Sequence, residues 1–144
     1  MNVIVTSHAT LCDGLVAAFN MLVSSSSDHI HCLGLTEEGV GEFRSRLRAL
    51  CDELLRQGDV LIMSDLLGGT PYNEANIIFQ ENPDHVRLVA GTNFPMLIEV
   101  GLLTMDECSL EDAYQTALLV GRQGVVGAKR FEDKGDETAD ADLF

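Results

Sequence analysis

The sequence predicts a three-layer α/β/α domain built on a mainly parallel sheet, and three observations predict it. Short apolar runs alternate four times with stretches of helical periodicity, the pattern of a doubly wound sheet. The runs Val3-Ile4-Val5 and Val60-Leu61-Ile62-Met63 are apolar at every position, as strands covered on both faces must be. Between the second of these and the next helix lies Ser64-Asp65-Leu66-Leu67-Gly68-Gly69-Thr70-Pro71-Tyr72-Asn73, a tight glycine turn running into a helix start with Thr70 as N-cap and Pro71 at the first helical position. A strand order such as 2-1-3-4 with right-handed crossovers would put the first and third strands side by side, with the ligand-binding switch point between their carboxyl ends.

The elements follow in order. Val3 to Val5 forms the first strand, with Thr6-Ser7-His8 at its carboxyl end. Leu11, Leu15, Ala18 and Leu22 recur at helical spacing, and Ser24 to Asp28 makes a polar turn. Ile30 to Leu35 is the second strand, preceded by His29 and containing His31. Two histidines at that spacing could form half of a metal site, but no third ligand lies nearby, so no metal is expected. Val40, Phe43, Leu47, Leu50 and Leu54 give the clearest amphipathic helix in the chain, with Arg44, Arg46, Arg48 and Arg56 on its solvated side. The third helix carries Ala75, Ile78 and Phe79 inward and stops near Asn82-Pro83. Val86 to Ala90 is the fourth strand. A helix from about Phe94-Pro95 turns Met96, Leu97, Val100 and Leu103 to the core. Ser109-Leu110-Glu111-Asp112 resembles a capping box for a fifth helix through Ala113, Ala117 and Val120, closed by Gly121 and Gly124. Val125 to Phe131 reads as a last strand. The remainder, 132–144, holds six acids against Lys134 and no periodicity, so it is expected to be a disordered tail.

Composition narrows the function. A chain of 144 residues, 46% hydrophobic, suits one domain, here 1–131. Nine Lys+Arg against 23 Asp+Glu give a net charge of -14, a field that repels phosphate backbones and anionic lipid and so excludes nucleic acid as a partner. Cys12, Cys32, Cys51 and Cys108 form no Cys-x-x-Cys pair and read as reduced core thiols. The start Met1-Asn2-Val3-Ile4-Val5 has no signal-peptide character, and no apolar run is long enough to span a membrane, which together predict a cytoplasmic protein.

His8 and Asp65 meet at the switch point if the strand order holds. Asp65 would accept a hydrogen bond from one ring nitrogen of His8, fixing the tautomer and leaving the other nitrogen free to attack a phosphoryl group. Phosphoryl transfer asks a protein mainly for positioning and for stabilisation of spread negative charge. The helix start offers the latter: Gly68 makes the turn, and the Gly69 and Thr70 amides and the Thr70 hydroxyl would hold phosphate oxygens. A purely structural reading, in which His8 simply ends a strand, stays open on these grounds alone.

Four motifs in order bear on that choice. Ser7-His8 after the first strand, Asp65-Leu66-Leu67-Gly68-Gly69-Thr70-Pro71 after the third, Gly91-Thr92-Asn93-Phe94-Pro95-Met96-Leu97 after the fourth and Gly121-Arg122-Gln123-Gly124-Val125 near the end together resemble the mannose-class (mannose/fructose/sorbose) IIA component of the phosphoenolpyruvate-dependent sugar phosphotransferase system. The resemblance covers residues 2 to about 131. It implies a phosphotransferase without cofactors, a carrier that takes phosphate from HPr onto His8 and passes it to a IIB component for sugar uptake. It implies that Asp65 bonds the histidine and that Thr70 lies near the phosphate. It also implies a homodimer that exchanges an antiparallel C-terminal strand, here Val125 to Phe131, and at most peripheral association with membrane permease components. The chain ends without a IIB domain, so the acceptor is expected to be a separate protein. The residues flanking the histidine, often glycine in the family, are Ser7 and Ala9 here, which leaves the local backbone path to be seen.

Three other readings compete. A response-regulator receiver would be phosphorylated on Asp65, but it needs an acidic pair after the first strand to hold magnesium, and Ser7-His8-Ala9 supplies none. A flavodoxin-like carrier needs a hydroxyl- and glycine-rich loop there, also absent. A regulatory module of the same fold that has lost the phosphate would have little reason to keep His8, Asp65 and Thr70 together.

Overall fold

The computed structural model describes residues 1–23 and 27–132. Four strands, β1 (Asn2–His8), β2 (Ile30–Leu35), β3 (Val60–Ser64) and β4 (Val86–Val89), form a parallel sheet in the order β2-β1-β3-β4. The helices are α1 (Leu11–Leu22), α2 (Val40–Leu55), α3 (Thr70–Glu81), α4 (Phe94–Leu103) and α5 (Leu110–Gln123). The expected strand order is therefore the observed one, and β1 lies between β2 and β3 with Thr6 opposite both Leu33 and Ser64.

The period-2 alternation of side chains splits the core into two layers. Val3, Val5, Leu61 and Met63 point to the face covered by α1, α4 and α5, where they meet Cys12, Phe19, Leu97, Val100 and Ala117. Ile4, Val60, Ile62 and Val86 point to the other face, where α2 and α3 bring Phe43, Leu47, Leu54, Ala75 and Ile78. The strands are apolar throughout because both faces are occupied.

Some local readings need correction. On α1 the inward stripe is Cys12, Leu15, Val16 and Phe19, while Leu11 and Leu22 are exposed. Cys12 acts there as a small hydrophobe and turns the stripe by one position. On α2 the arginines are more than a solvated face: Arg44 makes a forked ion pair with Glu74 of α3 at 2.8 and 2.9 Å, and Arg48 pairs with Glu81. Arg44 and the Arg48–Glu81 pair are exposed, while the Glu74 carboxylate is mostly covered, so the pairs serve chiefly to orient α3. Gly121 lies inside α5 and does not end it, because a Cβ there would come within 2.5 Å of the Met96 side chain, and Gly124 is the C-cap. The half of the capping box at Ser109 is present, its hydroxyl accepting from the Asp112 N–H at 3.0 Å.

Residues 125–130, expected as a strand, have no regular secondary structure in this single chain, and Val125, Val126 and Phe131 are exposed. The acidic tail lies, apart from Glu132, outside the described residues.

Candidate functional site

The carboxyl ends of β1 and β3 carry His8 and Asp65. Parallel pairing runs to Thr6 and Ser64 and continues through the Asp65 N–H, which donates to Thr6 O at 3.2 Å. That bond aims the Asp65 carboxylate across at β1. Its Oδ2 accepts twice from His8, from the backbone N–H at 2.9 Å and from the ring Nδ1 at 2.8 Å. One oxygen thus fixes both the main chain and the ring of the same residue. With Nδ1 carrying the proton, Nε2 keeps its lone pair. The imidazole is 47% exposed and the carboxylate only 11%, so the pair is anchored from below and open above.

Burial pushes the Asp65 carboxyl up, but the hydrogen bonds from the His8 N–H and ring and the charge of the imidazolium outweigh it, and the net shift is below the usual carboxylate range. Asp65 Oδ1 is buried and has no hydrogen-bond partner among the described residues. The carboxylate is accordingly held by His8 almost alone.

The backbone beside the histidine follows a path that glycine would adopt without strain. Ala9 has φ +49°, in the left-handed region, and its N–H donates to Leu35 O at 2.7 Å. Gly34 on β2 makes room for this turn, since a Cβ there would lie 2.1 Å from Ala9 O. The Ser7 hydroxyl accepts from the Cys12 N–H at 2.8 Å and so caps α1 from within β1.

After β3 the chain turns through Gly68 at φ +77° into α3. Helix α3 begins at Thr70 with Gly69 as N-cap, one residue earlier than expected, and Pro71 sits in the first turn. The expectation that the Gly69 amide faces an anion meets a difference, because that N–H donates to Leu66 O at 3.1 Å. Its contribution is space: a Cβ on Gly69 would lie 2.9 Å from His8 Cε1 and 3.6 Å from Nε2. The α3 N-terminus therefore approaches the nucleophilic edge of the ring. First-turn donors without an intrahelical acceptor are the Thr70 and Tyr72 N–H groups. Asn73 Nδ2 ties the loop down through Gly68 O at 3.0 Å.

The third motif is structural. Thr92 Oγ1 donates to Ser64 O at 2.8 Å, Asn93 Oδ1 caps α4 at the Met96 N–H, and Asn93 Nδ2 reaches Gly121 O at 2.8 Å. It fastens α4 and α5 behind the end of β3. His29 and His31, the two weighed as half of a metal site, do not converge: His29 Nε2 meets Gly101 O and His31 Nε2 meets Asn2 Oδ1, each at 3.1 Å. The sequence reading missed a different group, Cys12, Asp13 and Cys32, whose ligating atoms lie within 4.8 Å of one another. No spacing signal announces it, because Cys32 lies on the neighbouring strand.

A parallel sheet with an aspartate-anchored, solvent-open histidine and a helix N-terminus at its switch point defines a class of α/β domain suited to carrying an anion on imidazole. The family model EIIA-man, described as the PTS system fructose IIA component, matches residues 2–118. The chain belongs to that family. It is 24% identical over 123 residues to the PTS system fructose-specific EIIA component of Bacillus subtilis (strain 168), covering 85% of this chain and 83% of that protein. Over 70 residues, 49% of this chain, it is 36% identical to the PTS system mannose-specific EIIAB component of Escherichia coli (strain K12), of whose length the match spans only 21%. Among solved structures, the mannose/sorbose specific IIA subunit of Enterococcus faecalis superposes with a TM-score of 0.76 at 26% identity, covering 90% of this chain and 95% of that one. The phosphotransferase system component EIIA of Streptococcus agalactiae shares the fold, with a TM-score of 0.76 at 22% identity over 88% of this chain and 95% of that one. No helix among the described residues is long and apolar enough to cross a membrane.

Proposed function

We propose that the chain is a cytoplasmic phosphoryl carrier of sugar uptake that accepts phosphate from HPr on His8 Nε2 and gives it to a IIB component. The observation that carries this reading is the double acceptance at Asp65 Oδ2, which leaves Nε2 as the basic, exposed nitrogen. The Nε2 lone pair attacks phosphorus, an N–P bond forms, and the bond to the donor breaks with its electron pair leaving on the donor. The ring then carries a positive charge that Asp65 neutralises through Nδ1–H, without a proton having to move. In the forward transfer the acceptor attacks phosphorus and the N–P electron pair returns to Nε2.

The α3 N-terminus supplies charge stabilisation for the equatorial oxygens. Gly68 shapes the turn, Gly69 gives clearance for the ring, and the Thr70 amide and hydroxyl, with the Tyr72 amide, are the donors offered to phosphate. The receiver reading loses ground, since the Asp65 carboxylate is buried and its Oδ2 is already engaged twice. The test is incubation with phosphoenolpyruvate, enzyme I and HPr followed by intact mass. One acid-labile phosphoryl group, absent in His8→Ala, is the expected result. No gain under conditions that phosphorylate another IIA protein would overturn the reading.

The same proposal includes a homodimer. β4 is an edge strand, and the exposed segment 125–131 follows α5, which packs beside it. Exchange of that segment onto a partner's edge would cover Val125 and Val126 and remove an exposed edge from each sheet. Light scattering should give twice the chain mass, and truncation after Gly124 should halve it; a monomeric full chain would end the strand-exchange idea.

A further inference from the structure

Cys12 and Asp13 occupy the first turn of α1, and Cys32 sits on β2 facing them. We infer that Cys12, Asp13 and Cys32 form a binding site for a thiophilic d10 cation, Zn2+ in the first instance, separate from the His8 site.

The geometry is that of a tetrahedral corner. Zn–S bonds of about 2.3 Å and Zn–O bonds of about 2.0 Å at tetrahedral angles separate sulfur from oxygen by about 3.5 Å. Cys32 Sγ lies 3.3 Å from Asp13 Oδ1, and all three donor atoms are mutually within 4.8 Å. One ion therefore reaches all three with only small side-chain movement. Cys12 is buried, Cys32 half-buried and Asp13 exposed, so the three ligands form a floor and the fourth position opens to water. Two thiolates select against Mg2+ and Ca2+, which take oxygen ligands.

The backbone is already fixed for this arrangement. Gly34 and Ala9 lock β2 against the β1–α1 turn, and Ser7 Oγ holds the Cys12 N–H at 2.8 Å. Cysteine binds metal as the thiolate, so a metal must displace a proton at each sulfur and binding strengthens with pH. This runs against the absence of any metal expected from sequence spacing.

The experiment uses the reduced, metal-free full chain titrated with Co2+ and then Zn2+. A thiolate-to-Co2+ charge-transfer band that saturates at one equivalent, is displaced by Zn2+ and is unaffected by millimolar Mg2+ is the expected result. The band should be lost in Cys32→Ser, weakened at least tenfold in affinity in Asp13→Asn, and kept in Cys51→Ser, Cys108→Ser and His8→Ala. Cys12 is fully buried, so its replacement also disturbs the core, and Cys32→Ser and Asp13→Asn carry the decision. No charge-transfer band, or one that survives Cys32→Ser, would overturn the inference.

Discussion

Strand β3 has a histidine–aspartate pair at each end, and only one of them is a candidate for chemistry. At the carboxyl end His8 Nδ1 lies 2.8 Å from Asp65 Oδ2; at the amino end His85 Nδ1 lies 2.8 Å from Asp59 Oδ1. Bond length does not separate them. Surroundings do: Asp65 is 11% exposed against 38% for Asp59, and Oδ2 of Asp65 also takes the His8 backbone N–H. The decisive difference is the end of the sheet. In a parallel sheet the carboxyl ends of the strands feed helix N-termini, which offer unpaired N–H groups to an anion. The amino end receives helix C-termini, whose carbonyls repel one. A His–Asp pair is thus a common surface feature, and its position on the strand gives it a use.

The largest effect should come from exchanging the histidines. His8→Ala should abolish phosphoryl acceptance from HPr, while His85→Ala should leave it within about twofold, as for an exposed pair of small energetic weight. Intact mass over a time course reads both. Loss in the His85 variant would erase the distinction drawn between the two ends. Asp65→Asn comes next, because the amide no longer neutralises the charged ring and can present N–H where an acceptor is needed. A slowing of roughly a hundredfold is expected, the upper end of what removing a hydrogen-bond partner that orients a functional imidazole costs. Asp59→Asn should leave the rate unchanged, and equal slowing in both would mean that the amino-end pair also serves transfer.

The contrast between ends was legible in the sequence on one side only. Continuous apolar runs at Val3 to Val5 and Val60 to Met63 placed buried strands, and a 2-1-3-4 order brings His8 to Asp65 however far apart they are in the chain. The amino-end pair joins two turn residues, Asp59 and His85, that carry no periodic signal. Ala9 at φ +49° was foreshadowed only as a departure from glycine beside His8. Leucine spacing on α1 points to the wrong face, because Cys12 and Phe19 carry the buried one while Leu11 and Leu22 are exposed. Cys32 meets Cys12 through β1–β2 pairing, a contact between elements that no local pattern encodes. Segment 125–131 has strand composition but joins no sheet among the described residues, so its expected pairing is not seen in the single chain.

Two glycines sharpen the comparison at smaller scale. Gly69→Ala puts a methyl within 2.9 Å of His8 Cε1, so the ring must tilt or the α3 start must retreat. A misplacement of that size should slow phosphoryl acceptance about tenfold, with a shifted His8 Nδ1–H resonance. Gly58, just before Asp59, has open space around it but φ +153°. Gly58→Ala should therefore cost about 1 kcal/mol in urea unfolding through backbone strain and leave transfer unaltered. The reverse assignment, with activity lost at Gly58 and stability at Gly69, would contradict the division of labour between the ends.

The smallest effect is a dependence of stability on pH. The Asp65 carboxyl is depressed below its ordinary value of 3.8 once the bonds from His8 have overcome its burial. For a depressed acid the folded state binds its proton less readily than the unfolded chain does. Its contribution is complete above the unfolded value and is lost as pH falls through the folded one. Denaturant unfolding between pH 5 and about 2 should therefore show a steeper loss of stability in the native chain than in Asp65→Asn, which has no proton to take up. At neutral pH the variant starts lower, and the two curves converge in acid. Parallel curves would mean that the buried carboxylate gains nothing from the imidazole at its side, leaving the carboxyl-end pair no more coupled than an exposed surface contact.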